Sequence, residues 1–352
     1  MNNATPFTQV PVIDVSGLRS PDESVRRAVA DEIGSAAREV GFLYVSGTGI
    51  DPLLFTDMLR STKAFFALPL EEKMRSYIGL SRCHRGYVPT GEEGFERPIP
   101  DLKEAFDTAL DLPDDDPDYL AGNPMLGPNV WPGIPGFAEA VTAYYRAALN
   151  LGRELLWAFA VTLGEDPGVF LRYATKTPSQ LRLLHYPYNP AADDAIGIGA
   201  HSDFECFTLL KPTAPGLEVL NGAGEWIDVP PIEDTFVVNI GDMLELWTNG
   251  EFIATTHRVR KVKEERYAFP LFFNVDYDTV VRPLPRFRSP GRPERAPLRA
   301  GEHLFAQTAQ IFRYLHTRLE NGELQLPEGS MPLGSFGQEA RQAAGAPPVA
   351  AS

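Results

Sequence analysis

The stretch HSDFECFTLL (201–210), continued by GLEVLNGAGEWIDVPPIEDTFVVNIGDMLELWTNG (216–250), TTHRV (255–259) and ERYAFPLFFN (265–274), decides the fold. It is a chain of short runs rich in β-branched and aromatic residues. Pro215-Gly216, Asn221-Gly222, Gly241-Asp242 and Asn249-Gly250 separate them, and Asn189-Pro190 precedes them. Such dipeptides turn the backbone, so the pattern predicts strands over 180–186, 206–211, 217–220, 226–229, 235–240, 252–259 and 266–275. Regularly spaced short strands form a sandwich or jelly roll, whereas βαβ units need helices between them.

The same stretch holds a potential metal-binding set. On an extended segment residues i and i+2 project to one face, so His201 and Asp203 can share an ion. An isolated H-x-D is weak, and a surface or core histidine is its commoner explanation. Here His257 follows on another predicted strand and Arg266 opens the next. Two imidazoles and one carboxylate on one side of an octahedral ion leave open positions, as in non-haem Fe(II) oxygenases. Arg266 alone would be assigned to a structural ion pair, but its fork of donors also suits a carboxylate ligand.

Upstream, the pattern is mixed. VPVIDVSGL (10–18) and GFLYVSG (41–47) read as strands. Between them Ser20-Pro21-Asp22-Glu23 reads as a helix start, with Ser20 as cap and Glu23 closing a capping box. Val25, Val29, Ile33, Ala36 and Val40 continue that helix to Gly41. Asp51-Pro52 opens a second one, with Leu54, Met58, Thr62 and Phe65 in a stripe. Periodicity fades from 75 to 135, where the aspartate-rich run 111–118 lacks the glycine and glutamate of an EF-hand loop and reads as solvated. A long helix then runs from Phe137 to Thr162, stopped by Gly164. Another is expected over 301–319, and the tail AAGAPPVAAS (343–352) reads as disordered.

Composition narrows the function further. The 352 residues carry a formal net charge of −15, which disfavours nucleic acid and anionic membrane surfaces as partners. Two cysteines, Cys83 and Cys206, exclude a disulfide scaffold. Neither a basic-then-apolar leader nor a long apolar run is apparent. These features predict a cytoplasmic protein, monomeric or a small homo-oligomer, acting on a small molecule.

At the quoted residues the chain resembles the iron(II)/2-oxoglutarate dioxygenases related to isopenicillin N synthase. PVIDVSGL, GFLYVSGTGI, FFALPLEEK and RGYVP extend the likeness upstream, so it covers about residues 10–320. The resemblance implies a mainly β protein with flanking helices around a double-stranded β-helix (jelly roll). It implies an N-terminal region at 1–120, a long helix and connection at 121–179, the core at 180–282 and a C-terminal region at 283–352. It further implies Fe(II) on His201, Asp203 and His257, 2-oxoglutarate as co-substrate with its distal carboxylate on Arg266, and O2 as oxidant. A small metabolite would be oxidised, most simply hydroxylated, with release of succinate and CO2.

The remaining family positions match unevenly. In Leu184-His185-Tyr186-Pro187, Tyr186 matches a tyrosine that contacts the co-substrate, while Leu184 replaces the usual asparagine. Arg182 shares the alternation of Leu184 and Tyr186 and is a further co-substrate candidate. The usual R-x-S reads Arg266-Tyr267-Ala268 and lacks the serine hydroxyl. Substrate candidates are His84 and Arg85 in a pocket-covering loop, with Phe204, Phe207 and Phe272, although apolar core is the default for each phenylalanine. His185, His303, His316 and Cys206 read as structural. Two enzymes of the same iron chemistry, an oxidase like isopenicillin N synthase and an ethylene-forming type, remain as alternatives. A non-catalytic small-molecule binder is the rival from another class.

Overall fold

The computed structural model describes residues 6–93, 103–188, 196–260, 264–288 and 296–331. Asn189-Pro190, most of the arginine-rich segment after Arg288 and the low-complexity tail lie outside these residues. Twelve strands carry the architecture: β1 Val12–Asp14, β2 Phe42–Ser46, β3 Gly86–Val88, β4 Glu104–Ala109, β5 Gln180–Tyr186, β6 Ile196–His201, β7 Phe207–Pro212, β8 Leu217–Leu220, β9 Trp226–Asp228, β10 Phe236–Ile240, β11 His257–Arg260 and β12 Arg266–Phe273. Eight form one sheet in the order β1-β2-β10-β7-β12-β5-β4-β3, and four form a second in the order β6-β11-β8-β9. Every pairing in them is antiparallel except β1 with β2, and neither sheet closes on itself. The expected mainly β architecture with flanking helices is present, and four strands of the larger sheet come from the first 120 residues.

Period-two alternation sorts the side chains of the larger sheet. Leu181, Leu183, Phe207, Leu209, Phe269, Leu271 and Phe273 point outward into one apolar cluster, shared with the long helix. Leu184, Tyr186, Leu210, Val237 and Ala268 point inward and pack with Leu217, Val219 and Val259 of the smaller sheet. This inner cluster is the jelly-roll interior, and its strand ends hold the candidate site.

The six longest helices among the described residues flank the sheets: α1 Glu23–Glu39, α2 Pro52–Phe66, α3 Phe137–Thr162, α4 Asp242–Trp247, α5 Ala300–Ile311 and α6 Arg313–Glu320. The α1 start corrects the sequence reading. Asp22 is the N-cap, its carboxylate accepting from Ser24 N, and Ser20 Oγ accepts from Asp22 N one step earlier. Asp51 caps α2 with Pro52 at the first helical position, as expected. Two further readings change. The expected helix over 301–319 breaks at Phe312, whose extended backbone pairs with Glu93, while Arg313 N donates to Glu92 O. The expected strand over 252–259 begins only at His257. Before it, Ile253 N donates to Ala37 O, Ala254 N to Glu245 and Thr255 Oγ1 to Val40 O, so those groups do not join a ladder.

Candidate active site

His201 ends β6, His257 begins β11, and the two are direct cross-strand partners. Their ring centroids lie 4.3 Å apart. Asp203 stands on the link into β7, with Oδ1 3.6 Å from His201 Nε2 and 3.5 Å from His257 Nε2. One donor atom from each of the three falls within 4.8 Å of the others. Both Nδ1 atoms face main-chain carbonyls, His201 toward Gly199 O at 2.8 Å and His257 toward Thr255 O at 3.3 Å. With the protons on Nδ1, both Nε2 lone pairs point at the common centre. The other carboxylate oxygen of Asp203 is held by the Thr208 hydroxyl and by Asn239 Nδ2 at 2.7 Å. Asp203 and His257 are buried, while about a third of the His201 side chain (34%) is open at the rim.

Burial alone would raise the Asp203 carboxyl, but His257, His201 and Thr208 hold it below the usual range. Burial also opposes the charged form of His257, and the Asp203 carboxylate outweighs it and shifts that ring upward. The donors thus present an ionised carboxylate between two imidazoles, a set suited to a divalent first-row metal. Glu205, two residues after Asp203, is pushed up to about 8 by burial and by Asp203, and burial likewise raises Asp242.

A second feature lies where β5 meets β12. Arg266 pairs with Tyr186 across the ladder, and its guanidinium sits 4.9 Å above that ring. Its Nε donates to Ala214 O at 3.2 Å, while Nη1 and the Tyr186 hydroxyl are buried without a hydrogen-bond partner. Unmet buried donors are costly, so this corner fits an incoming anionic oxygen. Ala268 and Leu184, the two departures from the family pattern, are direct cross-strand partners on the same face.

The other sequence candidates separate by their contacts. Arg182 faces inward as its alternation predicts, but Nε and Nη2 clasp Asp107 at 2.7 Å each and Nη1 meets Glu93 at 2.8 Å. That leaves Arg266, and not Arg182, with an unengaged donor for a carboxylate. His84 and Arg85 lie in the irregular segment just before β3, and both are buried. His84 meets the Tyr314 hydroxyl at 2.7 Å, and Arg85 donates to the carbonyls of Cys83, His84 and Met125. Phe207 is turned away from the site, stacked on Phe273 and edge-on to Phe159 of α3, because its strand parity is outward. Phe272 has inward parity and is partly exposed, and Phe204 stands edge-on to His303 at 6.2 Å. His185 lies outside, between Glu104 and Glu265 and stacked on Tyr267. Thr208 and Asn239, which orient Asp203, were missed because a threonine and an asparagine on strands carry no motif of their own. No helix among the described residues is long and apolar enough to cross a membrane.

Comparison with known proteins agrees with this geometry. Residues 172–275 match the 2OG-Fe(II) oxygenase superfamily, and residues 10–133 match the N-terminal region described as non-haem dioxygenase in morphine synthesis. The chain belongs to the 2OG-Fe(II) oxygenase superfamily. Within it, the chain is 36% identical over 322 residues to the 2-oxoglutarate-dependent dioxygenase citB of Monascus ruber, covering 86% of this chain and 95% of that one. It is 33% identical to the homoarginine-6-hydroxylase 2-ODD-C23 of Glycine max, over 88% and 99% of the two chains. Among solved structures, a full-length Neurospora crassa protein in complex with alpha-KG superposes with a TM-score of 0.72 at 27% identity, over 88% and 96% of the chains. A 2OG-Fe(II) oxygenase family protein from Caulobacter crescentus gives 0.75 at 32% identity, over 90% and 99%. The protein is a 2-oxoglutarate-dependent dioxygenase acting on a small molecule with Fe(II) and O2.

Proposed function

We propose that His201, Asp203 and His257 hold the Fe(II), that Arg266 and Tyr186 hold the distal carboxylate of 2-oxoglutarate, and that the reaction is hydroxylation. The observation that carries this reading is the convergence of one donor atom from each of His201, Asp203 and His257 on a common centre. When bound, the iron supplies the redox chemistry that couples co-substrate decarboxylation to substrate oxidation. Each residue then has a defined task. Gly199 O and Thr255 O keep both imidazoles in the tautomer that presents Nε2, and Thr208 and Asn239 fix the Asp203 carboxylate. Arg266 neutralises and orients the far end of the co-substrate through a charge-assisted contact. The inward leucines and valines keep the interior dry.

Arg182, on the inward face of β5 with Tyr186, stays a co-substrate-side candidate whose guanidinium is already paired, while His84, Arg85, Phe204 and Phe272 are the substrate-side candidates, of which Phe204 and Phe272 have partly exposed rings. The extents 1–120, 121–179, 180–282 and 283–352 are then parts of one catalytic unit. The net charge of −15 and the two free, buried cysteines support a cytoplasmic monomer or small homo-oligomer without nucleic-acid or membrane partners.

The test is an anaerobic Fe(II) titration of wild type and His257→Ala, followed by oxygen exposure with 2-oxoglutarate and a metabolite library. Wild type should bind one Fe(II) and yield succinate together with a product gaining one oxygen atom. The variant should lose iron binding while keeping its circular dichroism spectrum. Unchanged iron stoichiometry and turnover in His257→Ala would refute the assignment.

A further inference from the structure

Inward-facing partners of the larger sheet form transverse rows. One row runs Ala109, Gln180, Phe272, Thr208, Asn239 and Phe42 across β4, β5, β12, β7, β10 and β2. Thr208 and Asn239 both donate to Asp203, and the Phe42 ring stands edge-on to His257 at 5.4 Å. The row therefore runs beneath the converging donors, and Gln180 and Phe272 continue it toward β4.

These two residues are unused in the described structure. Gln180 is 6% exposed, and its Nε2 is buried without a hydrogen-bond partner. Phe272 is partly exposed; among the described residues it joins neither apolar cluster and no ring pair. In the adjacent row Arg182 is closed off by Asp107 and Glu93, so it offers no competing free donor. An unmet amide donor beside an unpaired ring is a paired demand for one oxygen acceptor and one flat apolar face.

We propose that Gln180 and Phe272 are specificity-determining residues, Gln180 Nε2 donating to a carbonyl or carboxylate oxygen of a planar, ring-bearing prime substrate whose face lies on Phe272. The proposal rests on the metal assignment above only for its placement beside the reacting centre.

The test uses the full chain loaded with Zn(II) and 2-oxoglutarate, which gives a diamagnetic enzyme without turnover. Affinities of acetophenone and α-methylstyrene are measured by saturation-transfer NMR, the two probes differing by C=O against C=CH2. One neutral hydrogen bond predicts that wild type prefers acetophenone by about five- to tenfold. Gln180→Leu should abolish the preference. Gln180→Glu, which keeps the shape and replaces the donor by an acceptor, should reverse it and guards against a folding defect in the leucine variant. Phe272→Ala should weaken both probes alike. Calorimetric titration of 2-oxoglutarate should be unchanged in both Gln180 variants. Equal binding or no binding of the probes by wild type overturns the proposal, as does a preference that survives in both Gln180 variants. Failure of wild type to bind Zn(II) or 2-oxoglutarate would instead count against the metal and co-substrate assignments, and the calorimetry reports that separately.

Discussion

By the resemblance noted in the sequence, Ala268 stands in place of a serine and its cross-strand partner Leu184 in place of an asparagine. Both are buried, so the pair substitutes apolar packing for two polar groups next to Arg266. A neighbouring hydroxyl is worth about 1 kcal/mol, so Ala268→Ser should tighten 2-oxoglutarate roughly fivefold. Arg266→Ala should cost about 1.5–3 kcal/mol, or ten- to a hundredfold and somewhat beyond. Calorimetric Kd values for the two variants check both, and a larger effect at Ala268 than at Arg266 would contradict the anchor. His84 supports a different prediction. It is buried with φ +60°, and burial, with Arg182 and Arg85 nearby, holds its ring well below the usual histidine range. Below pH about 6.5 the unfolded chain takes up a proton that the folded chain refuses, so stability falls as pH falls. His84→Asn accommodates the left-handed backbone and removes the titration. Between pH 7.5 and 5.5 wild type should lose about 1.4 kcal/mol more than the variant. Parallel thermal-melt profiles would rule this out. At this scale the three candidate donors that converge in the structure were legible because H-x-D plus a distant histidine is a rare combination. Thr208 and Asn239 were not, since their contacts to Asp203 come from strand register and not from residue type.

Helix α3 fits against both α1 and β12 through glycines. A Cβ on Gly34 of α1 would lie 2.1 Å from Thr162 Oγ1 and 2.7 Å from Thr162 Cβ, and one on Gly152 of α3 would lie 2.3 Å from Phe273 Cδ2. Alanine gains about 1 kcal/mol of helix propensity at such positions, whereas overpacking a tight contact costs about 1–3 kcal/mol. The clash should win at Gly152, where a buried aromatic ring on a central strand has nowhere to move. Gly152→Ala is expected to lower thermal stability by up to about 2 kcal/mol net, and a variant more stable than wild type would show that the ring shifts freely. The elements that the sequence displayed were those with one apolar face, such as α3, and β7 with its turn-bounded run. Strand β4 escaped notice because all six of its residues are buried, so EAFDTA shows no alternation. Its buried acids Glu104 and Asp107 are held by Lys73 and His185 and by Arg182, partners that come from distant elements. The break between α5 and α6 was hidden for another reason. Leu304, Thr308, Ile311 and Leu315 keep helical phase across Phe312, and only the tertiary pairing with Glu93 interrupts it.

Across the whole molecule the donor set is a junction between sheets. His201 and His257 belong to the smaller sheet, while Asp203 is tied by Thr208 and Asn239 to β7 and β10 of the larger one. An ion held by all three therefore binds the folded chain and has no equivalent site in the unfolded one, so it must stabilise by linkage. At a hundredfold excess over its Kd that amounts to about 2.7 kcal/mol. With roughly 2.1 cal/mol/K of unfolding entropy per residue over 352 residues, the melting temperature should rise by about 4 °C under anaerobic Fe(II). Thr208→Val removes a hydroxyl that orients Asp203, and loss of such a support lowers metal affinity about ten- to a hundredfold. At the same Fe(II) concentration a tenfold weaker site retains about 1.4 kcal/mol, so the shift should fall to about 2 °C. His257→Ala should show almost none. Differential scanning fluorimetry in an anaerobic chamber reads all three. A full rise of about 4 °C in His257→Ala would place the stabilising ion elsewhere. An undiminished rise in Thr208→Val would mean that the larger sheet takes no part in holding the metal.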